Sequence, residues 1–437
     1  MRVAVLADSD TRWKWGALTA HRIAPDCTEP GGTLTGFLLR GRATPTARQL
    51  GEVGVRADRL TEVTCAEFLA ELKSGGYDVV VLALVGGAVQ AVLHGARALW
   101  PAPAERPVLV TGYVGVVYEK LADGLLLRHG ADLVLANSRH DADRFRAVYE
   151  GVGADAGAVT ETALPFLGGA PYEQVTDRAH TVVFAAQPSV PESRADRTYL
   201  LRRAAEHARR HPDREVLVKL RSKPGEHTTH LEELPYQRLA EKLPGGLPVN
   251  CRLVYGNMGE VLDGTDLLVT VSSTAALESL HRGVPTAVLT DLGVREALGN
   301  HHFLGSGCLA SWDQLDAGLR PAADPQWLAR QGVASEGPYE RAFDTARERV
   351  AALAALPELP APDPYYTHTT APGYLPGILA RHHLGPDGTP LPGAARPAAG
   401  ESKLRRAVRS WLRDAARGAY RHGVQRVAPV IRRMGEL

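Results

Sequence analysis

Short aliphatic runs, each the length of one strand, alternate with stretches of helical periodicity up to about residue 330. This alternation restricts the chain to parallel α/β sheets, because each parallel strand pair needs a long crossover, usually a helix. Strands are expected at Arg2–Ala7, Leu34–Leu39, Arg59–Val63, Asp78–Leu84, Pro107–Thr111 and Leu133–Ala136. Helical stretches fall at Cys65–Lys73, Ala88–Leu99, Glu119–Arg128 and Arg139–Glu150. A short strand, Glu161–Phe166, runs into Gly168-Gly-Ala-Pro-Tyr172, which punctuates a domain boundary. The pattern then restarts with strands at Thr181–Ala185, Glu215–Lys219, Arg252–Tyr255, Leu267–Val271 and Thr286–Leu289, and a helix at Arg197–Arg210. Each half opens on its own first strand. The expectation is therefore two tandem Rossmann-like domains, 1–167 and 168–356, facing a cleft at the carboxyl ends of their strands.

A helix over Tyr339–Leu356 is expected to complete the second domain. Residues 357–400 are rich in Pro, Gly and Ala and read as an extended linker, interrupted by an aromatic-polar knot at Tyr365–Tyr374. Residues 401–437 read as a basic amphipathic helix. Leu404, Val408, Trp411, Leu412, Ala415 and Ala419 share one face, and Arg406, Arg409, Arg413, Arg417 and Arg421 lie opposite. Such a helix over 403–433 suits an anionic membrane surface; the alternative is docking on the chain's own body or on a partner. Nucleic acid is not expected, since no aromatic platform accompanies the arginines and the formal net charge is +1.

No apolar run approaches the roughly 18 residues of a membrane span. The N-terminus enters a strand and turns polar at Asp8, Ser9 and Asp10, unlike a signal peptide. Cys27, Cys65, Cys251 and Cys308 lie far apart with no CxxC pair. That spacing favours neither a zinc site nor a disulfide framework and fits a cytoplasmic protein.

The residues after the first strand, Ala7-Asp-Ser-Asp-Thr-Arg-Trp-Lys-Trp-Gly16, lack the GxGxxG of a dinucleotide site, and no GxxxxGK[ST] occurs. The second half offers a different phosphate cradle. A strand ends in Ser272, Ser273 and Thr274 and a helix opens directly on them. Free N–H groups and the macrodipole at a helix start favour an anion there. The alternative is that one serine is only an N-cap. Lys219, Arg221 and Lys223 alternate at the end of the neighbouring strand, followed by His227 and His230. Such cations suit a diphosphate, or else form a solvated face. Glu278, one turn into the helix, would accept ribose hydroxyls or be a surface residue favoured by the dipole. Gln187 ends the first strand of this half and is placed at the site.

In the first half, Asp8 and Asp10 follow the first strand. Either would deprotonate an acceptor hydroxyl, or cap the next turn. Lys14 and Trp15 would line an acceptor pocket, although Trp is equally a packing residue. Tyr113, in the loop Thr111–Tyr118, and His140, after an N-cap at Ser138, stand at strand ends on the same side. His301 and His302 lack further ligands at metal spacing, and no metal is expected.

Tandem Rossmann-like domains with the nucleotide in the second resemble GT-B glycosyltransferases. The segments Val218-Lys-Leu-Arg-Ser-Lys-Pro224 and Val271-Ser-Ser-Thr274 resemble, more narrowly, the polysialyltransferase and CDP-glycerol glycerophosphotransferase group. That group has a Lys-x-His-Pro motif where this chain has Arg221 and Lys223. The whole chain also resembles an uncharacterised actinobacterial glycosyltransferase family. The resemblance implies metal-independent transfer of a sugar, or polyol phosphate, from a nucleotide-activated donor of CMP/CDP or UDP type. The acceptor would be a glycan or lipid-linked hydroxyl, and no bound cofactor is implied. A nucleotide-sugar 2-epimerase shares the fold and is the enzymatic alternative. A non-catalytic nucleotide-binding protein at a membrane surface is the other.

Overall fold

The computed structural model describes residues 1–41, 43–116, 121–223, 226, 234–333 and 339–394. The expectations at Tyr118, His227, His230 and the tail 401–437 lie outside these residues.

The described chain forms two compact units, Met1–Phe166 with the described residues from Ala329 to Ala394, and Leu167–Leu328. The first unit carries β1 (Arg2–Ala7), β2 (Thr33–Leu39), β3 (Arg59–Val63), β4 (Val79–Ala83), β5 (Val108–Gly112), β6 (Leu133–Ala136) and β7 (Val159–Glu161). Between them run α1 (Asp10–Ile23), α2 (Ala47–Val53), α3 (Cys65–Gly75), α4 (Gly86–Leu99), α5 (Leu121–Leu126) and α6 (Arg139–Gly151). The sheet is wholly parallel in the order β3-β2-β1-β4-β5-β6-β7. Neighbouring residues of one strand enter opposite cores. Ala4, Leu6, Val80 and Leu82 pack on one face, and Val3, Val5, Val79 and Val81 on the other. Burial on both faces is why these strands read as unbroken apolar runs.

Helix α1 is absent from the expectations above, and it changes the reading of its residues. Ser9 caps it, accepting the Arg12 N–H at 3.4 Å. Trp13 and Trp15 face the core. At Gly16 a Cβ would stand 2.7 Å from Val5 and 2.8 Å from Ala83, so only glycine allows this helix so close to β1 and β4.

The second unit has β8 (His180–Ala185), β9 (Arg214–Lys219), β10 (Cys251–Val254), β11 (Leu267–Thr270), β12 (Thr286–Leu289) and β13 (Leu309–Ala310), again all parallel, in the order β10-β9-β8-β11-β12-β13. Its helices are α7 (Arg194–Arg210), α8 (Tyr236–Glu241), α9 (Met258–Asp263), α10 (Ala275–His281) and α11 (Trp312–Asp316), and α12 (Pro325–Arg330) spans the boundary at Leu328. Val182, Phe184, Val216, Val218, Leu267 and Val269 pack with Trp312 and Tyr236 in its core.

Helix α13 (Asp344–Ala354) belongs to the first unit, where Ala346 and Val350 are buried with Val3 and Val5. The sequence placed this helix in the second domain. Residues 357–394, expected as a linker, also pack on the first unit and include α14 (Leu375–Arg381). All four cysteines are free and buried, and burial pushes the Cys65 thiol up to about 12. No described helix is long and apolar enough to cross a membrane.

Candidate functional site

In both sheets the chain runs outward in two directions from a central pair, β1 with β4 and β8 with β11. The carboxyl side of such a switch point is where open α/β sheets hold ligands. In each unit a polar side chain after the first strand of the pair bonds the backbone after the other.

In the second unit this side chain is Gln187. Its Oε1 accepts the Ser272 N–H at 3.0 Å and lies 3.3 Å from Ser272 Oγ. Ser272 is buried. The Ser273 N–H donates to Thr270 Oγ1 at 3.2 Å, and Ser273 Oγ accepts the Ala275 N–H at 3.2 Å. Ser273 therefore does the capping. Thr274 has helical backbone angles and makes no side-chain capping bond. Glu278 is 8% exposed, which rules out its reading as a surface residue.

The basic run behaves differently from its alternation. Strand β9 stops at Lys219, so the three cations do not share one face. Lys219 is buried and its Nζ donates to the Leu220 carbonyl at 2.8 Å. Arg221 is half-buried and Lys223 exposed, with the Lys223 ammonium 5.8 Å from the Tyr255 ring. Gln237 ties the end of β9 to that of β10, donating to the Ser222 carbonyl at 3.0 Å and to Tyr255 Oη at 2.8 Å.

In the first unit the bridging side chain is Asp8. Its Oδ2 accepts the Val85 N–H at 2.9 Å, and its Oδ1 pairs with Arg12 at 3.0 Å. The helix cap is Ser9, so capping is not the role of either aspartate. Asp10 lies in the first turn of α1, where Thr11 donates to it at 3.3 Å. Lys14 lies over the Phe166 ring at 4.9 Å. Trp15 is 1% exposed and packs beneath Gly112, so it is a core residue and lines no acceptor pocket. The Arg128 guanidinium lies 4.0 Å over the Tyr113 ring, and the Phe145 ring meets Tyr113 tilted by 54° at 5.5 Å. Burial raises its phenol pKa. His140 is half-buried on α6, behind the N-cap Ser138, and burial lowers its pKa.

Sequence reasoning missed two residues at this edge. Arg128 is buried and donates to the carbonyls of Leu84, Gly112 and Gly124 at 3.2, 3.0 and 2.7 Å, fixing the ends of β4 and β5. Asp141 is 4% exposed, its Oδ1 makes no hydrogen bond among the described residues and lies 3.9 Å from Arg144, and burial pushes its carboxyl up to about 6 against that arginine. Its place three residues after a serine cap is the one signal available.

His207, His211 and Asp316 bring ligand atoms within 4.8 Å of one another. The group lies at the amino end of β9, the opposite edge of the sheet from Ser272. Asp316 already binds Arg203 at 3.0 Å, Arg210, and His207 Nδ1 at 2.6 Å. The other His207 nitrogen lies 3.2 Å from Arg214. A carboxylate surrounded by guanidinium groups is an ion-pair network and a poor cation site.

Two parallel sheets, each flanked by helices, make tandem Rossmann-like domains, the fold class of GT-B enzymes. Residues 3–353 match the family described as "Putative glycosyltransferase (DUF6716)", and the chain belongs to that family. No curated protein matches the sequence. Among solved structures, Staphylococcus aureus MnaA with UDP is 14% identical over 80% of this chain and 95% of its own, with a TM-score of 0.50. The UDP-GlcNAc 2-epimerase of Methanocaldococcus jannaschii, solved with UDP-GlcNAc and UDP, is 10% identical over 80% of this chain and 99% of its own, with a TM-score of 0.50. Identities this low establish the shared fold.

Proposed function

We propose that the chain is a nucleotide-sugar enzyme that holds its donor's diphosphate at the carboxyl edge of the second unit and breaks the bond from that diphosphate to the anomeric carbon. The observation that carries this reading is the meeting of Gln187 with Ser272 at the switch point between β8 and β11. The N–H groups there are already aimed at acceptors. A phosphate oxygen would replace the neutral oxygens of Gln187 and Ser273 with a stronger, charge-assisted partner. Arg221, with Lys219 and Lys223, would neutralise the leaving diphosphate, and Glu278 would take the ribose hydroxyls. Asp8 or Asp10 would handle the proton.

The two solved relatives carry UDP, which makes it the first nucleotide to test. Two fates of the anomeric carbon fit. A 2-epimerase reading is favoured by the likeness to such an enzyme over 80% of the chain. Transfer to a hydroxyl acceptor is favoured by the family's description. A glycan or lipid-linked acceptor, cytoplasmic placement and membrane contact through 403–433 belong to the transfer reading. So does the narrower likeness to the polysialyltransferase and CDP-glycerol glycerophosphotransferase group, which rests on Val218–Pro224 and Val271–Thr274.

The test is a thermal-shift series with UDP, CMP and GDP. At 100 times its Kd a nucleotide stabilises by about 2.7 kcal/mol. If none raises Tm, the nucleotide reading is wrong. If UDP does so equally in Arg221→Ala and Ser273→Ala, the site is misplaced. Turnover of UDP-GlcNAc in D2O then separates the fates. Inversion through loss of the C2 proton leaves deuterium at C2, whereas transfer leaves C2 unlabelled and joins the sugar to an acceptor.

A further inference from the structure

Arg197, in the first turn of α7, is 1% exposed. Burying a guanidinium costs desolvation that an apolar side chain of similar volume would not incur. In return Arg197 makes contacts on two sides. On one side its Nη1 donates to the carbonyls of Gln187, Pro188 and Pro191 at 3.1, 2.9 and 3.3 Å. These residues belong to the irregular loop between β8 and α7, beyond the sheet ladder, which ends at Ala185. On the other side the guanidinium lies over the Tyr236 ring in α8, 4.3 Å from its centre.

Both sides lead to the residues of the proposed diphosphate site. The loop carries Gln187, whose side chain crosses to the Ser272 N–H. Its main chain also meets the end of β9, where the Ala186 N–H donates to the Lys219 carbonyl at 3.1 Å. Helix α8 carries Gln237, next to Tyr236, which donates to the Ser222 carbonyl and to Tyr255 Oη. Ser222 directly follows Arg221. One buried side chain therefore lies between the loop that places Gln187 and the helix that holds the segment of Arg221. A planar guanidinium serves both at once, because its edge donates to carbonyls while its face meets the ring. A lysine ammonium has no such face.

We infer that Arg197 is a positioning residue for the donor's diphosphate, bracing the loop 186–193 against α8 so that Gln187, Ser272 and Arg221 are held at one carboxyl edge. This rests on the nucleotide-sugar reading, in either of its forms. Arg197 acts through those residues and touches no reacting atom. Order held before the ligand arrives spares the cost of ordering the site on binding.

The test uses the full chain and reads two quantities. The first needs no nucleotide. Amide hydrogen exchange, followed by mass spectrometry, should be faster in Arg197→Lys at 187–192, 219–223 and 270–275, with the first unit unchanged. Faster exchange confined to 187–197, or no change, overturns the brace. Faster exchange spread evenly over the second unit also overturns it, since loss of an ordinary core residue does the same. The second quantity is UDP affinity by calorimetry. Arg197→Lys should weaken UDP about tenfold, as for the loss of one hydrogen bond to a charged group. That loss should not add to the loss from Arg221→Ala in the double variant. Wild-type UDP affinity in a folded Arg197→Lys, or strictly additive losses, overturns the inference. Should Arg197→Lys fail to fold, Tyr236→Leu takes its place. Removing the ring from α8 should speed exchange at 187–192, across the guanidinium from it, and unchanged exchange there overturns the brace. A wild-type chain that binds none of UDP, CMP and GDP sinks the donor reading, and the exchange measurement still decides the brace.

Discussion

Gln187 Oε1 takes the Ser272 N–H at 3.0 Å, and this bond crosses the point from which the second sheet grows in both directions. Asp8 makes the matching bond to Val85 in the first sheet at 2.9 Å. The two units thus share one construction with different chemistry. A neutral amide sits where an anion is proposed to bind, and a carboxylate paired with arginine sits where a proton is proposed to move.

Replacing Gln187 separates its structural part from its binding part. Gln187→Ala strands the Ser272 N–H and should cost about 1–3 kcal/mol in urea denaturation. Gln187→Glu keeps an acceptor for that N–H and should keep most of the stability. It also sets a negative charge against the diphosphate, so the rise in Tm with UDP should vanish. A UDP response in Gln187→Glu equal to wild type would remove Gln187 from the donor site.

The strands were legible because they are buried on both faces, and burial leaves a local apolar signature in runs such as Val79–Ala83. Ser272, Gln187 and Asp8 were legible as strand-end residues for the same reason. What they bind was not, because Gln187 and Ser272 are 85 positions apart and Asp8 and Val85 are 77 apart. Residues 357–394 were read as a linker for a physical reason. Their hold on the first unit comes from distant side chains, Arg106, His94 and Asp123, bonding backbone and tyrosines. Pro-, Gly- and Ala-rich composition carries no trace of those partners. Trp15 was misread because α1 was missed, and with it the inward face that buries the indole.

Asp141 should make stability fall as pH rises. Its folded pKa, about 6, lies above the 3.8 of a solvated aspartate. Burial therefore favours the protonated form, and the contribution is fully present below about pH 4 and lost as pH rises through about 6. Asp141→Asn should be more stable than wild type at pH 8, by up to roughly 3 kcal/mol, and no more stable at pH 4. Urea midpoints at the two pH values check this, and equal differences at both would show that the carboxylate is solvated.

The His207, His211 and Asp316 group should behave as an ion-pair network. EDTA should leave Tm unchanged, and added zinc should not raise it. Asp316→Ala leaves the buried His207 without its carboxylate, while Arg203 keeps Asp313 and Glu206, and should cost about 1–3 kcal/mol. A drop in Tm with EDTA, reversed by zinc, would make the three side chains metal ligands.

His383→Gly offers a direct check of the stop of α14, where His383 has φ +56°. A left-handed backbone costs a side-chain-bearing residue roughly 1–2 kcal/mol. Glycine removes that cost, and in part offsets it through the greater freedom of the unfolded chain. The net expectation is a stabilisation of about 1 kcal/mol, read as a higher urea midpoint at unchanged m. His383 is exposed and hydrogen-bonds through its backbone, so nothing else is lost with the ring. Turnover by His383→Gly should equal wild type. A destabilised His383→Gly would mean that the ring itself holds the turn, and that the left-handed histidine is kept for its contacts.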